Sequence, residues 1–123
     1  MSVIAIDHVQ IAAPPGCEDA ARGFYGELLG LTEVTKPLPL TARGGVWFAV
    51  GTQQLHVGVQ EDHVPARKAH PAFRTADKLA LDQLAAILSA AGHEPRWDDE
   101  LPGTARFFVP DPWGNRIEIL AAV

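Results

Sequence analysis

The chain is poor in several things at once: 123 residues hold one cysteine, one methionine and one tyrosine. A single thiol, Cys17, excludes an internal disulfide and agrees with a reducing compartment. Nothing beside it marks an activated nucleophile, so it reads as an incidental free thiol near a helix start. No segment reaches the roughly 18 uninterrupted apolar residues of a spanning helix. The opening MSVIAIDHVQIAA lacks the basic start and continuous apolar run of a secretory signal, so a cytoplasmic protein with no membrane partner is expected. Positive charge is also scarce. Ten basic residues against 15 acidic ones give a formal charge of -5, and Lys and Arg nowhere gather into a phosphate-tracking surface, which argues against nucleic acid.

What is present is 47% apolar residues, enough for one compact domain to bury a core. Residues Ile4 to Ile11 alternate as a strand does, and Glu18 to Leu29 has helical spacing at Ala21, Phe24, Tyr25 and Leu28, stopped by Gly30. Strands are expected at Leu31 to Lys36, Val46 to Val50 and Gln53 to Gln60, the last two joined by a tight turn at Gly51 and Thr52. Pro37-Leu38-Pro39 predicts a loop over the sheet. The pattern then restarts. Ala69 to Thr75 is a short strand, Lys78 to Ala91 a helix with Leu81, Leu84, Ile87, Leu88 and Ala91 on one side, and Gly92 its stop. Strands at Glu94 to Asp98, Thr104 to Val109 and Asn115 to Leu120 follow, with the turn Pro110 to Gly114 before the last.

The expected fold is therefore α+β, two βαβββ modules over 1–61 and 68–123 joined by a linker at 62–67. Gly30 and Gly92, His8 and His70, and His56 and Glu118 each lie 62 positions apart, a spacing that suits a duplicated module rather than a solenoid.

Strand parity then decides what each polar residue sees. Val9 and Ile11 belong to the core face and His8 and Gln10 to the other; Leu55, Val57 and Val59 oppose His56; Ile117 and Ile119 oppose Arg116 and Glu118; Phe73 opposes His70. Three imidazoles and a carboxylate thus occupy the face not needed for helix packing. Such ligands suit zinc, nickel, manganese or iron at an open site. His63, in an acidic loop, and His93, after the helix stop, read as surface and linker residues.

The segments IDHVQIA, FYGELLGL, QQLHVGV, AHPAF and DPWGNRIEIL cover nearly the whole chain in order, and together they resemble the signatures of the vicinal oxygen chelate superfamily of glyoxalases, bleomycin-resistance proteins and dioxygenases. The resemblance implies paired βαβββ modules forming a cup-shaped mixed sheet with helices on its outer face. It also implies one divalent metal ion whose coordination is completed by substrate oxygens. Carried over position by position, the ligands are His8, His56, His70 and Glu118. Glyoxalase I typically has a glutamate where His56 stands, so its proton-moving carboxylate is missing; fosfomycin-resistance and extradiol dioxygenase relatives use a set like His8, His70 and Glu118.

Two functions follow as expectations. One is a metal-dependent, glyoxalase-like enzyme acting on a small oxygen-rich molecule, with Glu118 or a hydroxide on the ion as base. Trp47, Phe48, Trp97 and Phe107 would line its cleft, and Arg74 or Arg106 would hold an anionic group. The other is a bleomycin-resistance-type protein that sequesters an aromatic compound without chemistry. In either case a symmetric homodimer is expected, with His8 and His56 of one chain facing His70 and Glu118 of the other.

Overall fold

The computed structural model describes residues 2–123. The fold is α+β and the chain divides into two compact units, Met1–Val64 and Pro65–Val123.

In the first unit, β1 (His8–Ala13) leads to α1 (Glu18–Ala21), which continues as a π-helix over Arg22–Leu28. Then come β2 (Thr32–Val34), a one-turn helix α2 (Leu38–Thr41), β3 (Val46–Val50) and β4 (Gln53–Val59). The sheet order is β1-β4-β3-β2, with β1 parallel to β4 and the other pairs antiparallel. Gly51, at φ +57, opens the two-residue β3–β4 turn, the left-handed first position that a II′ hairpin demands.

β1 begins four residues later than alternation suggests. Its only partner among the described residues, β4, starts at Gln53, and the register from His8 opposite Gln54 to Ala13 opposite Val59 leaves none of them to pair with residues 4–7. Val3, Ile4 and Ile6 therefore stay exposed, and Val9 keeps 39% of its surface in solvent despite its core parity. The Pro37-Leu38-Pro39 segment is not a loop but the helical turn α2, because Pro39 falls at its start, where a missing N–H costs nothing. The π stretch arises where Leu29 N–H bonds the Phe24 carbonyl five residues back, and it turns both Phe24 and Tyr25 inward. Tyr25 packs 6.0 Å from Phe48 in this unit's core.

The second unit repeats the order as β5 (Ala72–Arg74), α3 (Lys78–Ala90), β6 (Arg96–Asp98), β7 (Thr104–Pro110) and β8 (Arg116–Ala122), with sheet order β5-β8-β7-β6. Asp77 caps α3 by accepting from Ala80 N–H at 2.8 Å. The helix closes in a Schellman motif, with Gly92 at φ +89 and His93 N–H bonded to the Leu88 carbonyl. Its buried stripe is Leu81, Ala85 and Leu88; Ile87 is half-exposed and Ala91 exposed, because a thirteen-residue helix on a three- to four-strand surface buries a narrower face than its apolar pattern offers.

No helix among the described residues is long and apolar enough to cross a membrane.

Candidate metal centre

Each sheet has a helix-covered face and an open one, and register assigns the residues. On the first sheet Gln10 lies opposite His56, and His56 opposite Trp47, so these three and His8 share the open face. On the second, Phe108 lies opposite both Glu118 and Arg96, and Asp98 opposite Arg106.

In the first unit three rings form one stack. His56 lies 3.8 Å from Trp47 with parallel planes and 4.2 Å from His8 at 18°. Burial, and then the neighbouring His8, lower the pKa of His56, so this imidazole is held neutral, the form a metal requires. Its Nε2 donates to Gln54 Oε1 at 2.8 Å. His8 Nδ1 is oriented by Asp7 Oδ1 at 2.8 Å, the carboxylate–imidazole arrangement that leaves the other ring nitrogen for an ion. A cavity of about 350 Å³ opens beside the stack, with Lys36 and Arg43 in its wall.

In the second unit His70 precedes β5 rather than lying in it, and still reaches β8: its Nε2 is 3.0 Å from Glu118 Oε1. Its Nδ1 is 2.8 Å from the Lys68 carbonyl oxygen, which can only accept. Both ring nitrogens thus face oxygens, and Glu118 is almost fully buried. A positive charge, a proton or a metal ion, has to lie between Nε2 and Oε1 to make that approach favourable. Two ligands about 2.1 Å from an ion and at right angles to each other are about 3.0 Å apart, so the pair fits a shared cation. Arg106 Nη1 lies 3.5 Å from Glu118 Oε2 while its Nε and Nη2 hold Asp98 at 2.9 Å. The Glu100 amide, and then Arg106, keep the Asp98 carboxyl below its ordinary range.

The donors therefore come in two pairs, His8 with His56 and His70 with Glu118, and no group of three or more His, Cys, Asp or Glu is gathered for a metal among the described residues. The aromatic expectations need correction. Phe48 and Phe107 are fully enclosed in the two cores and present no surface to a ligand. Trp97 lies on the helix side, 5.2 Å from Phe107 and beneath Lys78, not on the open face. Arg74 is exposed on the edge strand β5 and contacts none of the donors. Sequence reasoning missed Phe108, which meets the His70 ring edge-on at 5.5 Å; parity counted from Glu118 through the Pro110–Gly114 turn identifies it. It also gave no role to Gln54, Asp7, Arg96 and Arg116, which carry no motif of their own.

The sequence model of the Glyoxalase/Bleomycin resistance protein/Dioxygenase superfamily matches residues 5–119. A structure described as a glyoxalase family protein from Bacillus anthracis is 46% identical over 100% of this chain and 98% of its own, with a TM-score of 0.93. Lactoylglutathione lyase from Agrobacterium tumefaciens is 24% identical, covering 98% and 96%, at a TM-score of 0.75. A genomically encoded fosfomycin resistance protein from Listeria monocytogenes is 13% identical, covering 98% and 95%, at 0.77. The latter two share the fold. No curated protein matches the chain.

Proposed function

The chain belongs to the Glyoxalase/Bleomycin resistance protein/Dioxygenase superfamily, and from that premise we propose that it is a metal-dependent, glyoxalase-like enzyme acting on a small oxygen-rich substrate. His8, His56, His70 and Glu118 are the proposed ligands. The observation that carries the reading is the pair His70 and Glu118, whose Nε2 and Oε1 lie 3.0 Å apart at the open face of the second sheet, a spacing that a shared cation fits. A bound divalent ion of the zinc, nickel, manganese or iron group supplies Lewis-acid polarisation of adjacent substrate oxygens.

The chain's own residues do the rest. Asp7 and the Lys68 carbonyl fix the ring orientations of His8 and His70. Burial keeps His56 unprotonated. Glu118 is the carboxylate available to take a substrate proton, and Arg106 Nη1 holds its Oε2 end. Trp47 gives the cavity beside His8 and His56 a flat apolar wall.

We further propose a homodimer in which His8 and His56 of one copy meet His70 and Glu118 of a second. Val3, Ile4 and Ile6 support it: they are exposed apolar residues continuing the edge strand β1 beyond its partner, a surface that a second copy would cover. We also propose a cytoplasmic setting, with which the free, buried Cys17 agrees.

His70→Ala and Glu118→Gln are expected to abolish tight metal binding with the fold intact by circular dichroism; full affinity in either would remove that residue from the ligand set. For the dimer, a His8→Ala, His56→Ala chain is mixed with a His70→Ala, Glu118→Ala chain. Recovery of one metal site per mixed dimer is expected, and no recovery would place each site within one chain.

A further inference from the structure

We propose that Arg96 and Arg116, flanking Phe108 on the open face of the second sheet, form a subsite for the oxyanion of a small organic acid, carboxylate or phosphate. This deepens the reading above by giving the substrate a negative charge. It rests on that reading only in calling the ligand a substrate, since oxyanion binding needs no metal.

Three guanidinium groups crowd one ring: Arg116 at 4.3 Å from the Phe108 centroid, Arg106 at 5.1 Å and Arg96 at 5.7 Å. The aromatic face attracts each cation, but three like charges around one ring repel unless something neutralises them. Arg106 is neutralised, by Asp98 and Glu118. Arg96 and Arg116 form no ion pair among the described residues; Arg96 adds only a minor share to the field on Asp98, whose bonds go to Arg106 and Glu100.

Arg116 carries a second signal. Its Nε is buried and has no hydrogen-bond partner among the described residues, a costly state for a charged donor. The group is held there by a rigid turn, in which Asp111 accepts from the Trp113 and Asn115 amides and from Asn115 Nδ2, setting where β8 begins.

Space for the ligand is present. A cavity of about 280 Å³ is lined by Arg96, Phe108 and Arg116, and also by Glu94 and Gly114. The Glu94 carboxylate accepts from Ser89 Oγ at 3.0 Å rather than pairing with either arginine. Two guanidinium groups on an apolar ring make a fork-shaped donor set that matches a planar carboxylate or a phosphate face and holds it more strongly than a neutral group of the same size. Because Phe108 stands opposite Glu118 in the register and touches His70, the anionic end would sit beside the proposed ligands.

The test uses the full chain in excess chelator, titrated calorimetrically with inorganic phosphate, with benzoate, and with benzyl alcohol as the uncharged counterpart. One or both anions bind and the alcohol does not; tighter phosphate or tighter benzoate identifies the preferred oxyanion. Arg96→Gln and Arg116→Gln each weaken the anion by about tenfold or more, as loss of a charged hydrogen bond does, and Arg74→Gln leaves it unchanged. Arg116→Lys keeps a positive charge but removes the planar guanidinium fork, so it too weakens binding and decides the matter if Arg116→Gln does not fold. Absence of binding by both anions, or equal affinity in the Arg116 variants, would overturn the subsite. A metal-free protein that still binds the anion through Arg96 and Arg116 would retain the subsite even if the metal reading failed.

Discussion

The two units share a topology and place their second candidate donor at the same point of the central strand, His56 on β4 and Glu118 on β8, yet they surround it with opposite chemistry. His56 is stacked between Trp47 and His8, where burial and a like-charged neighbour disfavour a proton. Glu118 is equally buried, but polar groups rather than rings meet its two oxygens, His70 Nε2 at 3.0 Å and Arg106 Nη1 at 3.5 Å. A duplicated backbone thus offers an imidazole stacked among rings in one unit and a carboxylate held by ion pairs in the other. The strand position decides where a donor points, and the neighbours on adjacent strands decide what holds it.

The units also stabilise their loops by the same device with different partners, a carboxylate that satisfies backbone amides. In the second unit Asp111 is buried and accepts three hydrogen bonds; Asp111→Ala should cost about 3 kcal/mol in chemical denaturation and loosen β8 with its Arg116 and Glu118. In the first unit Glu18 Oε2 accepts from Gly45 N–H at 2.6 Å, and Gly45 sits at φ +86 where an added Cβ would lie 2.1 Å from the Val57 carbonyl oxygen. Gly45→Ala is expected to lose more than about 2 kcal/mol, read by the same measurement, and to disturb β3 and β4 while the second unit's amides keep their chemical shifts.

Between the donors the comparison sharpens. His56 replaces the glutamate typical of glyoxalase I and already spends Nε2 on Gln54, so His56→Ala should weaken metal binding by only about tenfold, within the range of supporting residues, whereas His8→Ala loses more. Equal and complete loss in both would reject this ranking. The smallest effect is on pH. The Gly45 amide, chiefly, lowers the pKa of Glu18, so the carboxylate stabilises the fold above the ordinary carboxylate range and that contribution is lost as pH falls through the depressed value. Glu18→Gln should flatten the acid limb of a thermal-melting profile, and an unchanged limb would show the bond to be incidental.

Much of this was legible in the chain. Alternation at Gln53–Val59 and Arg116–Ala122, and the helix stops Gly30 and Gly92, place the strands and the faces of His56 and Glu118 correctly, because a two-residue period leaves no freedom once one face is apolar. Where partners matter, local pattern falls short. Ile4 and Ile6 alternate properly but have no strand to pair with, and Ile87 follows the helical period but lies beyond the sheet. Phe107 and Phe108 are chemically identical neighbours, and only the β7–β8 register shows that the second one faces the donors. The π segment leaves no trace in the apolar spacing of Ala21, Phe24, Tyr25 and Leu28, which fits both windings. The Arg96, Arg106 and Arg116 cluster was invisible because its members come from three different strands.

The most direct test of the account is the metal content of untagged protein purified without chelator, followed by titration of the stripped protein with zinc, nickel, manganese and iron. One tightly held divalent ion per chain is expected, released in His70→Ala and Glu118→Gln. Protein that emerges empty and takes up none of the four ions would contradict a metal centre at His8, His56, His70 and Glu118.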